Sequence, residues 1–202
     1  MAAFPIGQPN RWPVVACAIA GLNLAAWFAV AWGYGLSPFA SQNSALLLRA
    51  GAVNLRLLSD GEWWRILTSQ FLHVRFPHLL FNVLAMLLLG EMLERELGAW
   101  RLATLYLLSG TVGQLAGVIA APTLVSSGAS QAVMGLAGGV TVGLLRRRQW
   151  KSARLVILLA VVAVQFGLDL MAAGHIKAGH LAGFIAGAAT GYLLYVLHDR
   201  HA

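Results

Sequence analysis

The sequence predicts an all-α membrane protein, a bundle of six transmembrane helices with a membrane-embedded segment between the first and second. Two observations support this fold class. Of the 202 residues, 59% are apolar and only 10% are charged, with a mean hydropathy of +0.73. Soluble domains average roughly 45–50% apolar and about 25% charged residues. In addition, several apolar runs reach the roughly 20 residues with which a helix crosses a hydrocarbon core.

Four of the predicted spans contain no Asp, Glu, Lys or Arg, and they cover residues 14–33, 102–125, 127–145 and 178–197. The second span covers residues 79–90 and extends to about residue 97 through Glu91 and Glu94. The fifth covers residues 155–168 and extends to about residue 173 through Asp169. The first run exceeds the roughly 7–15 residues of a signal-peptide core, so a retained span is expected. Residues 1–202 are predicted to form a single domain.

Positive charges fall between the apolar runs and indicate an orientation. A nucleic-acid-binding face would need Lys and Arg clustered on a soluble module, so no nucleic-acid partner is expected despite the net charge of +7. Lys and Arg are retained on the cytoplasmic side. With the loop after the fourth span inside, nine of the fourteen lie there: Arg11, Arg95, Arg101, Arg146, Arg147, Arg148, Lys151, Arg154 and Arg200. Both termini are therefore predicted to be cytoplasmic.

Residues 34–77, between the first two spans, are too polar to cross the bilayer and too apolar for a free loop. Leucine clusters and the pair Trp63–Trp64 alternate there with Arg and Asp. This pattern is typical of a segment at the membrane interface, with tryptophans at headgroup depth. The sequence therefore predicts short amphipathic helices in this segment.

Few polar side chains fall at membrane depth, and each needs a partner because an unpaired polar group in hydrocarbon costs several kcal/mol. These residues are His78, Asn82, Gln114, Ser126, Ser127, Ser130, Gln131, Asp169 and His180. His78 and Asn82 are four residues apart, so they project from one face of the second span. Ser130 opens the fourth span, where free N–H groups and the positive end of the helix dipole favour developing negative charge.

Glycines at four-residue spacing mark one face of the fourth span and one face of the sixth. They are Gly135, Gly139 and Gly143 in the fourth span, and Gly183, Gly187 and Gly191 in the sixth. Because small residues let helices approach closely, Ser130 and His180 are expected within hydrogen-bond reach near the outer side. A nucleophilic serine requires such a base. His78 and Asn82, with the Ser130 N–H, could then bind the oxyanion of an acyl-transfer intermediate.

Motifs along the chain resemble those of the rhomboid family of intramembrane serine proteases, from about residue 61 to 191. They are Gly61-Glu-Trp-Trp-Arg65, Thr68, His73, His78-Leu-Leu-Phe-Asn82, Gly90, Glu94, Gly98, Gly128-Ala-Ser130 and His180-Leu-Ala-Gly183. The resemblance implies that Ser130 is the nucleophile, that His180 is the general base, and that His78 and Asn82 help to bind the oxyanion.

The resemblance further implies that the substrates are single-span membrane proteins within the lipid bilayer. No cofactor is expected, and the expected location is a bacterial cytoplasmic (inner) membrane. No acidic third residue is predicted beside Ser130 and His180. Asp169 precedes His180 by eleven residues, and helical spacing alone does not bring its carboxylate to the imidazole.

Other functions stay open from the sequence. Gln131 and Met134 stand where the family commonly has a glycine and often an aromatic residue, which permits an inactive relative that binds transmembrane segments without cutting them. A small transporter would need polar residues across the whole bilayer, and an aspartyl protease would need a second deep carboxylate. A metal site is not predicted, because the histidine pairs are five residues apart and lack the H-E-x-x-H spacing.

Overall fold

Among the described residues there are six long helices, with three short helices between the first and second. The computed structural model describes residues 12–149, 151–175 and 177–200, so Arg11 lies outside the described residues. The long helices are α1 (Val14–Gly33), α5 (Phe76–Leu97), α6 (Ala99–Ala120), α7 (Ser130–Arg147), α8 (Ala153–Ala173) and α9 (Ala178–Asp199). In the described part of the chain the only extended pairing is an isolated antiparallel bridge between Val53 and Ser126.

These long helices overlap the six predicted spans, and the all-α membrane class is confirmed. Among the described residues, five helices are long and apolar enough to cross a membrane: α1, α5, α6, α8 and α9. The remaining long helix, α7, has 18 residues and is buried along most of its length. A helix wrapped by its neighbours does not need a lipid-facing apolar surface, which accounts for its glycine-rich sequence.

The predicted boundaries on the two sides of residues 121–129 differ from the structure in a way that affects the site. The third span was expected to run to residue 125, but α6 ends at Ala120. The fourth was expected to begin at residue 127, but α7 begins at Ser130. Pro122 lies between them, and a proline disfavours continuation of the helix before it. Residues 121–129 therefore form a loop that leads into Ser130.

Glycines bring α7 and α9 into backbone contact. A Cβ placed on Gly187 would overlap the backbone of Gly135, and one placed on Gly191 would lie 2.9 Å from the Cα of Gly139. Gly183 packs in the same way against the carbonyl oxygen of Gln131. The facing glycines of the fourth and sixth spans are thus confirmed as a contact surface.

Between α1 and α5 lie α2 (Ser44–Ala50), α3 (Leu55–Ser59) and α4 (Arg65–Thr68), followed by a 3-10 turn, Ser69–Phe71. These are the short helices that the sequence predicts. The segment is tied to the loop before Ser130, because Val53 and Ser126 exchange two backbone hydrogen bonds, of 3.2 and 2.7 Å. The N–H of Gly128 also donates to the carbonyl oxygen of Ser69 at 2.9 Å.

The acidic residues of α5 have partners at the end of the bundle opposite Ser130. Glu94 accepts hydrogen bonds from the first free N–H groups of α1, those of Val15 and Ala16, at 3.0 and 2.9 Å. Glu96 pairs with Arg154 and accepts a hydrogen bond from the Tyr195 hydroxyl. Because these carboxylates are partnered, the second span can carry them at its end.

The glycine contact predicts that a single methyl group destabilises the bundle. In Gly187→Ala the added carbon meets the Gly135 backbone, which cannot rotate away, and overpacking costs about 1–3 kcal/mol. The thermal unfolding midpoint in detergent should therefore fall.

Gly167→Ala is the matched control, since a Cβ on Gly167 has no atom within 4 Å. This control should not be destabilised, because alanine also has the higher helix propensity. Equal midpoints for Gly187→Ala and Gly167→Ala would contradict the contact.

Candidate active site

Ser130 is the first residue of α7, and the turn that leads into it contains Gly128, two residues earlier. Gly128 has φ +123°, a region that side chains strongly disfavour, and a Cβ there would lie 3.3 Å from His78 Cε1. The turn points the Ser130 side chain into the bundle, where it is 2% exposed. Its N–H belongs to the first turn of the helix, whose donors have no intrahelical acceptor. The Ser130 hydroxyl therefore lies beside the positive end of the helix dipole and beside its own free backbone N–H.

His180 lies in the first turn of α9 and reaches Ser130 across the glycine contact. The Ser130 hydroxyl and His180 Nε2 are 2.8 Å apart, and His180 is 3% exposed. The two residues are 50 positions apart in sequence, so the packing of α7 against α9 alone creates the pair. With Nε2 unprotonated, the imidazole accepts the hydroxyl proton and can act as its base.

Asp169 occupies the other side of the His180 ring, a contact that helical spacing alone does not predict. Its Oδ2 is 2.6 Å from His180 Nδ1, and the residue is fully buried. Helix α8 ends four residues after Asp169, and α9 begins two residues before His180. The two helices therefore form a hairpin in which residues near the turn face each other, whereas spacing along one continuous helix would have separated them.

Asn82 pairs with His73, a partner that the sequence interpretation did not assign. The Asn82 Nδ2 lies 3.2 Å from His73 Nε2, which also accepts from the N–H of Ala129 at 3.4 Å. Burial lowers the pKa of His73 to about 3, so its ring is neutral, and the single lone pair of Nε2 is shared between the two donors. His73 thereby connects α5 with the residue before Ser130. The second N–H of the Asn82 amide is not used in this contact.

His78 stands beside the same site on the first turns of α5. Its ring lies edge-on to that of His73, with centroids 5.5 Å apart, and its Cε1 lies near Gly128. The side chain is partly exposed, unlike those of Asn82 and His73. Over the described ranges, no group of three or more His, Cys, Asp or Glu side chains could hold a metal ion.

Three further polar residues of the membrane interior form a network around the loop before Ser130. Gln114 donates to the carbonyl oxygen of Gly128 at 3.1 Å and accepts from the Ser126 hydroxyl at 2.5 Å. Gln131 Nε2 lies 3.5 Å from the Ser126 oxygen, and Gln131 Oε1 lies 3.2 Å from Ser130 Oγ. Gln131 is thus a second, more distant acceptor for the Ser130 proton.

All four residues expected at the site occupy one end of the bundle. Ser130 and His180 are in direct contact, His78 is adjacent, and Asn82 is connected through His73. The sequence reasoning missed Asp169 and His73 as neighbours. A signal existed for Asp169, since a carboxylate within an apolar span requires a polar partner. For His73 the signal was weaker, because it lies in an irregular segment whose path no periodicity predicts.

Comparison with known proteins identifies the family of the chain. A family model described as the rhomboid domain matches residues 60–197. "Rhomboid protease GluP" of Bacillus subtilis is 32% identical over 148 residues, which cover 73% of this chain and 29% of the relative. "RHOMBOID-like protein 4" of Arabidopsis thaliana is 33% identical over 166 residues, with coverages of 79% and 41%.

A third relative, "Putative rhomboid protease YdcA" of Bacillus subtilis, is 31% identical over 182 residues, with coverages of 85% and 86%. The chain therefore spans less than half the length of the first two relatives and most of the third. The family match includes all four site residues predicted from the sequence and covers well over half of the chain. The chain belongs to the rhomboid family.

Proposed function

We propose that this protein is an intramembrane serine endopeptidase that cleaves peptide bonds in or near transmembrane segments. The observation that supports it most directly is the 2.8 Å contact between the Ser130 hydroxyl and His180 Nε2, at the start of a buried helix. A serine in a membrane helix ordinarily bonds back to its own backbone. A serine at a helix start whose hydroxyl meets an imidazole has the arrangement that nucleophilic catalysis requires.

In the proposed reaction, Ser130 Oγ attacks the carbonyl carbon of the substrate peptide while His180 Nε2 takes the hydroxyl proton. The tetrahedral intermediate collapses, and the imidazolium returns that proton to the leaving amine. Water, deprotonated by His180, then hydrolyses the acyl-enzyme and restores the serine. The reaction needs no cofactor, since the attacking group, the base and the proton donor are all side chains of this protein.

The oxyanion of the intermediate would be stabilised by the Ser130 N–H with donors from α5. His78 is adjacent to Gly128 and partly exposed, so it can turn toward a bound carbonyl. Asn82 has one N–H engaged with His73 and a second to offer. Donors fixed in a site without bulk water stabilise developing charge more strongly than water does.

Substrates are proposed to be single-span membrane proteins that enter from the bilayer. Their peptide carbonyls are hydrogen-bonded within a helix, so the helix must unwind before Ser130 can attack.

We further propose that residues 1–202 form one membrane domain in a bacterial cytoplasmic membrane. The 18-residue α7, with Ser130 at one end and Arg147 at the other, is about 27 Å long. Arg146, Arg147 and Arg154 at its far end favour a cytoplasmic location for both termini and an outer location for the active site.

One observation favours a second function, a rhomboid-family protein that binds transmembrane segments without cleaving them. Gln131 Oε1 lies 3.2 Å from Ser130 Oγ and can accept the hydrogen bond of the hydroxyl, which would turn the hydroxyl away from His180. The 2.8 Å contact with His180 is shorter, which favours the protease. A small transporter has less support, because the site residues gather at one end of the bundle.

Removal of either partner of the Ser–His pair should abolish proteolysis. In liposomes, Ser130→Ala and His180→Ala are each expected to leave no measurable cleavage of a single-span test protein with Gly-Pro near the outer end of its helix. Ser59→Ala and His198→Ala are the controls, because both residues lie away from the site. Full activity in either site variant, with unfolding midpoints like that of the wild type, would contradict the proposal.

His78→Ala should lower kcat about 100-fold with a smaller change in KM, because an oxyanion donor acts mainly in the transition state. Steady-state cleavage of the same test protein measures both constants, again with His198→Ala as the control. An increase in KM at unchanged kcat would instead assign His78 to substrate binding.

Helix-weakening residues in the substrate should govern the cleavage rate. Replacement of the Gly-Pro pair of the test protein by Leu-Leu strengthens the helix, since proline costs about 3 kcal/mol and glycine about 1 kcal/mol in a helix interior. Cleavage is therefore expected to slow at least tenfold. The same replacement at the opposite end of the substrate helix is the control, and equal rates for both substrates would contradict access by unwinding.

A further inference from the structure

We infer that Asp169 is a positioning residue that fixes the tautomer and orientation of His180, so that the site works as a Ser130–His180–Asp169 triad. This inference rests on the proposed function, which by itself requires only Ser130 and His180. It assigns a role to a carboxylate buried in α8, the only acidic residue beside the site in the part of the chain that the structure describes.

Geometry carries the inference. Asp169 Oδ2 lies 2.6 Å from His180 Nδ1, and Ser130 Oγ lies 2.8 Å from His180 Nε2. The two nitrogens of one ring are therefore engaged on opposite sides, by a carboxylate and by a hydroxyl. A carboxylate can only accept, so the Nδ1 nitrogen must donate to it and carries the proton. Nε2 is then unprotonated and faces the serine.

This arrangement contributes in two ways to acyl transfer. It selects the tautomer in which Nε2 can take the Ser130 proton, and it stabilises the imidazolium that results. No proton needs to move to Asp169 in any step. The carboxylate acts through His180 and does not contact the substrate, so it is a positioning residue.

The carboxylate is itself fixed by the turn between α8 and α9. The backbone N–H of Lys177 donates to Asp169 Oδ2 at 3.1 Å, and the Lys177 ammonium lies 3.5 Å from Oδ1. A buried charge needs partners, and the Lys177 N–H and the His180 ring remain as partners when the half-exposed ammonium is removed. Gln165, one turn earlier on α8, also packs against the ring, with its Nε2 3.4 Å from His180 Nδ1.

These contacts also define the competing explanation, that Asp169 only anchors the α8–α9 turn. Two substitutions separate the roles. Asp169→Asn keeps an oxygen that can accept from the Lys177 N–H but loses the negative charge. Lys177→Met removes the ammonium, whose side chain is 52% exposed, and keeps the backbone N–H. Anchoring alone predicts equal effects, whereas a positioning role makes the aspartate variant far worse.

The experiment measures the rate at which a fluorescent fluorophosphonate labels the purified protein in detergent. This reaction depends on the activated serine and not on substrate recognition. Asp169→Asn is expected to slow labelling at least about tenfold with an unfolding midpoint near that of the wild type. Lys177→Met should slow it less than twofold. Asp199→Asn, which removes an ion-paired carboxylate at the far end of α9, should not change it.

Wild-type labelling rates in Asp169→Asn, or equal losses in Asp169→Asn and Lys177→Met, would overturn the inference.

A second measurement needs no substitution at position 169. It is nitrogen NMR of the wild-type protein with isotope-labelled histidine, which reports which ring nitrogen of His180 carries the proton. His180 is identified by the signals that vanish in His180→Ala. At neutral pH the inference expects a protonated Nδ1 and an unprotonated Nε2, and the opposite tautomer would overturn it.

Failure of this inference and failure of the proposed function give different results. If the wild type is labelled but does not cleave membrane substrates, the endopeptidase proposal fails and the triad is still judged by labelling rates. If cleavage proceeds and Asp169→Asn equals the wild type, only the triad fails. If the wild type is not labelled, the tautomer of His180 still decides the inference.

Discussion

The backbone contact between α7 and α9 is the constraint on which the site depends. Ser130 and His180 each lie in the first turn of their helix, and short side chains bridge the two helices only when the backbones touch. Gly187 against Gly135 and Gly191 against Gly139 allow that approach. In a membrane, where burial of apolar groups provides little drive for helix association, close packing of this kind is a main source of stability. The same glycines therefore determine both the packing of α7 against α9 and the contact between Ser130 and His180.

Burial has a second consequence, because every polar group of the site must find a partner inside the protein. Asp169, His180 and Ser130 satisfy one another in a row, and Lys177 completes the pairing of the carboxylate. Asn82 is satisfied through His73 in the same way. A network of this kind rigidifies the groups that it connects. The polar side chains, which are costly to bury in a membrane, are therefore grouped at the site, where their contacts orient Ser130 and His180.

Much of this could be predicted from the sequence, because uncharged runs of about 20 residues and glycines at four-residue spacing have few structural solutions in a bilayer. The helix order and the contact between Ser130 and His180 followed from those patterns. The end of α6 at Ala120 did not, since residues 121–125 are apolar enough to continue a span and only the proline indicates the loop.

The contact of Asp169 with His180 could not be predicted for a different reason. Periodicity describes neighbours within one helix, whereas Asp169 and His180 meet across the turn of a hairpin whose length the sequence does not specify. His73 lies in the irregular segment before α5, and its contacts with Asn82 and Ala129 depend on three separate elements. Side-chain contacts of this kind arise from packing of the whole bundle and carry no local sequence signature.

The central claim is that Ser130, at the start of α7, is a nucleophile activated by His180. Mass spectrometry of peptides from the wild-type protein, after reaction with a fluorophosphonate in detergent, tests it most directly. The account predicts a single adduct on the peptide that contains Ser130, absent when the protein is denatured before the reagent is added. An adduct on another serine, or none in a folded sample, would contradict it.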